Sequence, residues 1–138
     1  MKTAIFPGSF NPWHEGHEDI LQKAKQVFDE VIIVALENPE KPAPPIVPSL
    51  RNGLKRTDGT KVLSFRGLLR DAADRYGACA IVRGLRNNLD LEYEKVQQYW
   101  NEDLGVSQMF VYFITDRSYS HISSSAVRAI RKLRGEDE

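Results

Sequence analysis

The sequence predicts an α/β domain built on a Rossmann-like, doubly wound parallel sheet of five strands. Three observations point to it. Short apolar runs alternate with amphipathic segments along the whole chain. The second run, residues 31–36, is unbroken, as expected of a parallel strand covered on both faces. Three of the runs, ending near Phe6, Val82 and Ile114, lead into unusual polar segments. Parallel strands share one direction, so these segments should gather at one edge, where ligands of open α/β sheets bind.

The first run, residues 3–6, stops at Pro7-Gly8, a pair suited to ending a strand. From Gly16 onward, Ile20, Leu21, Ala24, Val27 and Phe28 recur at three- and four-residue steps and predict an amphipathic helix with that face inward. Residues 31–36 form the second strand. Pro39, Pro42, Pro44, Pro45 and Pro48 forbid a regular helix where they fall, so residues 37–61 are expected to form a long loop, with room for a short helix at 49–55. A third strand at 62–65, a helix at 68–76 and a fourth strand at 78–82 follow, leaving 83–88 as a polar stretch beyond the strand. Apolar or aromatic residues at 89, 93, 96, 99, 100 and 104 predict a helix over 89–104. A fifth strand at 109–114 and a last helix at 123–133, with Val127, Ile130 and Leu133 inward, complete the pattern.

A chain of 138 residues buries enough surface for one domain, expected to span 1–138, without a metal or disulfide staple. Hydrophobic residues at 41% and charged residues at 28% exclude disordered and fibrous classes. Lysine plus arginine equals aspartate plus glutamate at 19 each, so no global field steers the chain onto a nucleic acid, and any anion site must be local. Cys79, the sole cysteine, lies in an apolar run, reads as a buried small hydrophobe and excludes an intrachain disulfide. The apolar runs fall short of a membrane span and the N-terminus lacks a signal-peptide pattern, so a cytoplasmic location with no membrane partner is expected.

In the first polar segment, His14 and His17 stand three apart at a helix entrance, with Gly16 allowing a bulky ligand to approach. A helix N-terminus offers N–H groups to phosphate oxygens, and imidazoles added there can donate to charge developing on phosphate. The competing reading is that both histidines cap the helix or pack against Trp13. A zinc site would have to recruit carboxylates, since the chain has three histidines and one cysteine, and no metal ligand is assigned. Asn11 can orient a phosphate or serve as an Asx-turn residue before Pro12.

In the second segment, Arg83 and Arg86 beside Gly84 form a fork for anionic oxygens, or else pair with Asp90, Glu92 or Glu94. In the third, Ser123 can cap the last helix, Ser124 and Ser125 can meet a β- or γ-phosphate, and Arg128 can reach back to the same anion. His121 is a candidate near a base. Lys41, the one cation within the proline-rich stretch 39–48, either swings onto a phosphate or solubilises the loop. The absence of a Walker segment and of Gly-x-Gly-x-x-Gly after the first strand excludes P-loop phosphoryl transfer and dinucleotide oxidoreduction.

The segment Gly8-Ser-Phe-Asn-Pro-Trp-His-Glu-Gly-His17 resembles the signature of the small nucleotidyltransferases with a His-x-Gly-His core, and Ile122-Ser-Ser-Ser-Ala-Val-Arg128 resembles their second signature. Arg83-Gly-Leu-Arg86 followed by Asp90-Leu-Glu-Tyr-Glu94 is similar to the phosphopantetheine adenylyltransferases. The resemblance implies the HxGH nucleotidyltransferase fold and a reaction of ATP with 4′-phosphopantetheine, giving dephospho-coenzyme A and pyrophosphate with Mg²⁺. It implies a catalytic set of His17, Lys41, Arg86 and His14. His17 would stabilise the pentacovalent transition state. Ser9, Asn11, Lys41 and Arg83 would stand at the acceptor phosphate, and Phe65, Leu68 and Leu69 along the pantetheine arm. Arg86, Ser123, Ser124, Ser125 and Arg128 would engage the ATP phosphates, with Gly8, Phe10, Gly84 and Glu94 flanking the nucleotide. A homo-oligomer is implied, commonly a hexamer in that family. Asn11 and His14 replace the family's usual aspartate and threonine or serine, a pattern shared with nicotinamide-nucleotide adenylyltransferases, which form the alternative beside a cytidylyltransferase.

Overall fold

The computed structural model describes residues 1–10, 12–37, 56–116 and 124–135, and only the backbone of Asn88, Ser124 and Ser125. The elements follow the expected alternation: β1 (Thr3–Gly8), α1 (Glu15–Lys25), β2 (Glu30–Glu37), β3 (Val62–Arg66), α2 (Leu69–Arg75), β4 (Ala80–Leu85), α3 (Asn88–Asp103), β5 (Met109–Ile114) and α4 (Ser124–Leu133). All strand pairs are parallel, in the order β3-β2-β1-β4-β5. The chain winds outward from β1 to β3, then returns to place β4 on the other side of β1. The strand order therefore reverses between β1 and β4, the position at which such sheets open a crevice.

Pro7 helps to open it. Successive residues of β1 turn their backbone polar groups to alternate sides: Lys2 O accepts from Glu30 on the β2 side, and Thr3 O from Cys79 on the β4 side. Pro7 therefore faces β4 with no N–H to give. The β1–β4 register ends at Ile5↔Ile81, whereas β1–β2 pairing continues to Gly8↔Ala35. The Pro7-Gly8 pair thus ends pairing on one side of β1 only, and the strand runs two residues beyond the expected stop. Arg83 enters the gap and donates from Nη1 to Pro7 O at 2.5 Å.

Side-chain alternation along β1 divides the core in two. Ala4 and Phe6 join Trp13, Ile20, Leu21 and Phe28 under α1, while Ile5 joins Val34, Leu69, Ala73 and Ile81 under α2. A Cβ at Gly84 would stand 2.8 Å from Ile20 Cγ1, so α1 approaches β4 at a distance that requires glycine. Lys23 bridges Asp19 (3.0 Å), Asp116 (2.8 Å) and Ile114 O (2.6 Å), and Asp116 N donates to Asp19 (2.8 Å), pinning α1 to the end of β5.

Several expectations are corrected. β4 continues to Leu85, so Arg83 and Gly84 are strand residues opposite Tyr112 and Phe113 rather than loop. Cys79 is exposed, because Ala78 and Ala80 take the buried positions around it. Val27, past the end of α1, is exposed, as are Ile130 and Leu133 on α4. The α3 residues whose spacing predicted that helix, Leu89, Tyr93, Val96, Tyr99, Trp100 and Leu104, are all exposed, with Tyr93 at the border of a cleft. The side nearer the sheet carries Asp90, Glu94, Gln97, Gln98 and Asn101, because it borders a polar cleft.

Candidate active site

The first turn of α1 is closed by imidazoles. His14, the N-cap, accepts from Gly16 N at Nδ1 (3.1 Å), and His17 Nδ1 accepts from His14 N (3.2 Å), a reciprocal capping box. The rings stack with centroids 3.8 Å apart. A Cβ on Gly16 would lie 3.0 Å from His14 Cε1, so the space that glycine leaves is filled by the His14 ring rather than held for a ligand. Phe10, at φ 48°, lays its ring over Gly8, where a Cβ would meet it at 2.9 Å. Phe10 and Trp13 then wall the His17 ring, with centroids at 5.0 and 5.2 Å.

The capping and packing reading of these histidines is what the structure shows, and the same contacts fix the orientation of both rings. With both Nδ1 atoms accepting, each neutral ring carries its proton on Nε2. Burial, helped by Arg86, lowers the pKa of His14 to about 4. Burial, then His14, Arg83 and Arg86, lowers His17 to about 3. Both rings are neutral donors near pH 7.

This arrangement makes stability pH-dependent. Below 6.5 an unfolded histidine binds a proton that the folded His17 refuses, so the stabilisation is complete above that value and is lost as pH falls toward about 3. His17 alone should remove about 1.4 kcal/mol of unfolding free energy per pH unit in that window. Urea titrations at about pH 7.5 and about pH 5 check this. A pH response in His17→Gln as steep as in the unsubstituted chain would show that the ring titrates freely.

Arg83 is held as firmly as the histidines. Its Nε and Nη2 donate to the two oxygens of Glu94 (2.6 and 3.3 Å), a carboxylate only 5% exposed. With Pro7 O, three of its five N–H groups are engaged, leaving two for a ligand. Arg86 pairs with Asp90 from its backbone N (2.8 Å) and Nε (3.1 Å), and Asn87 Oδ1 caps α3 by accepting from Asp90 N (3.0 Å).

These groups border a two-lobed cleft at the strand ends. Both lobes share Pro7, Gly8, Ser9, Arg83, Tyr93 and Glu94. The lobe on the α1 face, about 300 Å³, adds Phe10, His14, His17, Gly84, Arg86 and Thr115. The lobe on the α2 face, about 630 Å³, adds Leu68, Leu69, Glu37, Gln97, Asn101 and Tyr112. Nine expected residues thus meet around the first lobe: Gly8, Ser9, Phe10, His14, His17, Arg83, Gly84, Arg86 and Glu94. Leu68 and Leu69 line the second. Phe65 is not among its lining; partly buried, it packs edge-on to Tyr76 against the core, with centroids 6.2 Å apart. Arg128 is exposed on α4 and is not among the lining residues. Asn11, Lys41, His121 and Ser123 lie outside the described residues, and the side chains of Ser124 and Ser125 do likewise.

Thr115, Glu37, Gln97, Asn101 and Tyr112 escaped the sequence reading. For α3 the signal was present: Asp90, Glu94, Gln97, Gln98 and Asn101 make a polar stripe at helical spacing, overshadowed by the apolar stripe beside it. Among the described residues, no group of three or more His, Cys, Asp or Glu side chains could hold a metal ion.

A cytidylyltransferase-like family model matches residues 5–130. The chain is 39% identical over 139 residues to the phosphopantetheine adenylyltransferase of Cytophaga hutchinsonii, covering 98% of this chain and 93% of that one. It is 40% identical over 134 residues to the phosphopantetheine adenylyltransferase of Shouchella clausii, covering 94% and 84%. Among solved structures it is similar to the lipopolysaccharide core biosynthesis protein from Thermoplasma volcanium, with a TM-score of 0.57 over 84% of this chain and 98% of that one. At 18% identity that likeness speaks to the fold alone.

Proposed function

The chain belongs to the cytidylyltransferase-like family, among its phosphopantetheine adenylyltransferases, and from that premise we propose that its two lobes hold ATP and 4′-phosphopantetheine for adenylyl transfer. The reaction moves AMP from ATP to the acceptor phosphate, giving dephospho-coenzyme A and pyrophosphate. The observation that carries the site assignment is the neutral, Nε2-protonated His17 of the first lobe together with Arg83, which lines both lobes.

The acceptor phosphate is already ionised, so attack on the α-phosphorus needs alignment and charge stabilisation rather than a base. His17 Nε2–H donates to a non-bridging oxygen as charge grows there, and His14 supports the adjacent phosphates. Arg83, through its two remaining N–H groups, holds the acceptor phosphate with Lys41, Ser9 and Asn11. Arg86 takes the β- and γ-phosphates with Ser123, Ser124, Ser125 and Arg128. Gly8, Phe10 and Gly84 flank the nucleotide, Glu94 holds Arg83 in place, and Leu68 and Leu69 border the pantetheine arm, with Phe65 packed against the core behind them. The charged and imidazole groups of the first lobe fit a metal bound mainly by triphosphate oxygens, and Mg²⁺ there would neutralise charge on the leaving pyrophosphate.

The exposed apolar residues of α3, with Met109 and Ile114 also exposed, support a homo-oligomer in which copies of this chain cover them. No helix among the described residues is long and apolar enough to cross a membrane. We place the enzyme in the cytoplasm, where its ATP is supplied.

Pyrophosphate release from ATP and Mg²⁺, with 4′-phosphopantetheine and nicotinamide mononucleotide offered in parallel, tests the acceptor. Release with the first alone is expected. Release with the second alone would move the chain to the nicotinamide branch, and silence with both would overturn the assignment.

A further inference from the structure

We propose that Arg56 is a positioning residue of the transfer reaction, acting on the His17 ring through Glu18 and Trp13. The inference rests on the adenylyltransferase reading of the His17 site. Arg56 precedes β3 and lies 38 residues from Glu18, the residue that follows His17 in α1. It donates Nη1 to Glu18 Oε1 (2.6 Å) and Nη2 to Glu18 Oε2 (3.1 Å), a bidentate fork that sets the plane of the carboxylate. Its side chain is only 10% exposed, unlike that of an ordinary surface arginine.

The guanidinium is itself fixed. Asp58 accepts from Arg56 Nε (3.1 Å) and Nη2 (2.5 Å), and also from Thr60 N (3.0 Å) and Lys25 Nζ (3.1 Å). The segment before β3 thus grips α1 at both ends, through Glu18 and Lys25. Gln22 Nε2 donates to the same Glu18 Oε2 at 2.7 Å, and the Trp13 indole acts on the same carboxylate. Burial pushes the Glu18 carboxyl up, but hydrogen bonds from Arg56, Gln22 and Trp13 outweigh it and keep the group ionised.

Trp13 links this network to the cleft. It is 7% exposed, lies 5.2 Å from the His17 ring at a 31° tilt and packs edge-on against Phe6 and Phe10. None of Arg56, Glu18 or Trp13 lines either lobe, so none is placed to touch substrate. Glu18 and Asp58 are each 38% exposed, which lowers what the network adds to stability, while the fork still fixes the direction of the Glu18 carboxylate. An ångström of misplacement at a reacting group is costly.

The test is steady-state pyrophosphate release by Arg56→Ala, Arg56→Lys and Glu18→Gln, with Lys61→Ala as control. The control removes a more exposed ion pair near the same strand, to Glu30 at 3.3 Å, whose partners do not line the cleft. Arg56→Ala and Glu18→Gln should lower kcat about 10-fold with both KM values within about twofold, and Arg56→Lys should recover only part, because an ammonium cannot fork. Lys61→Ala should match the unsubstituted chain. Independently of turnover, ¹⁵N NMR of the imidazoles should show the His17 signals shifted in Arg56→Ala. If that variant fails to fold, Glu18→Gln, which preserves shape, decides both readouts. Unchanged kcat in the folded variants, or unchanged His17 signals beside a lowered kcat, overturns the inference. An inactive unsubstituted chain would instead overturn the adenylyltransferase reading, and the NMR comparison would still decide whether Arg56 positions His17.

Discussion

Replacing His17 with alanine is expected to lower kcat by about 10²- to 10³-fold, the loss that follows removal of one donor from a developing oxyanion. The KM for ATP should change far less, because the arginines that hold the ground-state phosphates remain. The same substitution removes the acceptor for His14 N–H and should cost about 1 kcal/mol through the lost cap. His17→Gln separates the two roles. Glutamine at this position of a capping box can accept from the N-cap N–H, so stability should return while kcat stays low. Pyrophosphate release and urea unfolding on both variants check this. A kcat within about tenfold of the unsubstituted chain in both would reduce His17 to a helix cap.

Arg83→Ala should damage stability as well as activity. It strands the buried Glu94 carboxylate without its ion-pair partner, and breaking such a pair typically costs about 3–5 kcal/mol. Because the Arg83 side chain is 31% exposed, water can reach the site and the lower end is expected. Adding Glu94→Gln removes the orphaned charge and should restore part of the stability but none of the activity, since the guanidinium that faces both lobes is still missing. Urea unfolding and pyrophosphate release on the single and double variants read the two effects apart. If the single variant is as stable as the parent, Glu94 is held by something other than Arg83.

Five parallel strands interleaved with helices, and polar segments ending β1 and β4 at a shared cleft, were legible in the sequence. Apolar periodicity reports which residues leave water, and turn chemistry reports where the chain stops. That was enough to collect His14, His17, Arg83 and Arg86 in one place before any coordinates. It could not say what covers each apolar face. The periodicity of α3 predicted the helix but not the direction of its apolar residues, which the fold leaves exposed while the polar side of that helix walls the cleft.

Other features were decided only by tertiary structure. The parting of β1 from β4 depends on which neighbour Pro7 faces, and that follows from strand order, which no local pattern encodes. The low pKa values of the two histidines come from burial under an aromatic cluster and from arginines some 70 residues away in sequence. The fork from Arg56 to Glu18 spans 38 residues with no periodic signal linking them. The sequence by itself determined the elements, their direction and the chemical types at the strand ends, since these depend on neighbours along the chain. Tertiary structure decided ring orientation, protonation and the shape of the cleft, because those depend on contacts that exist only once distant segments have packed.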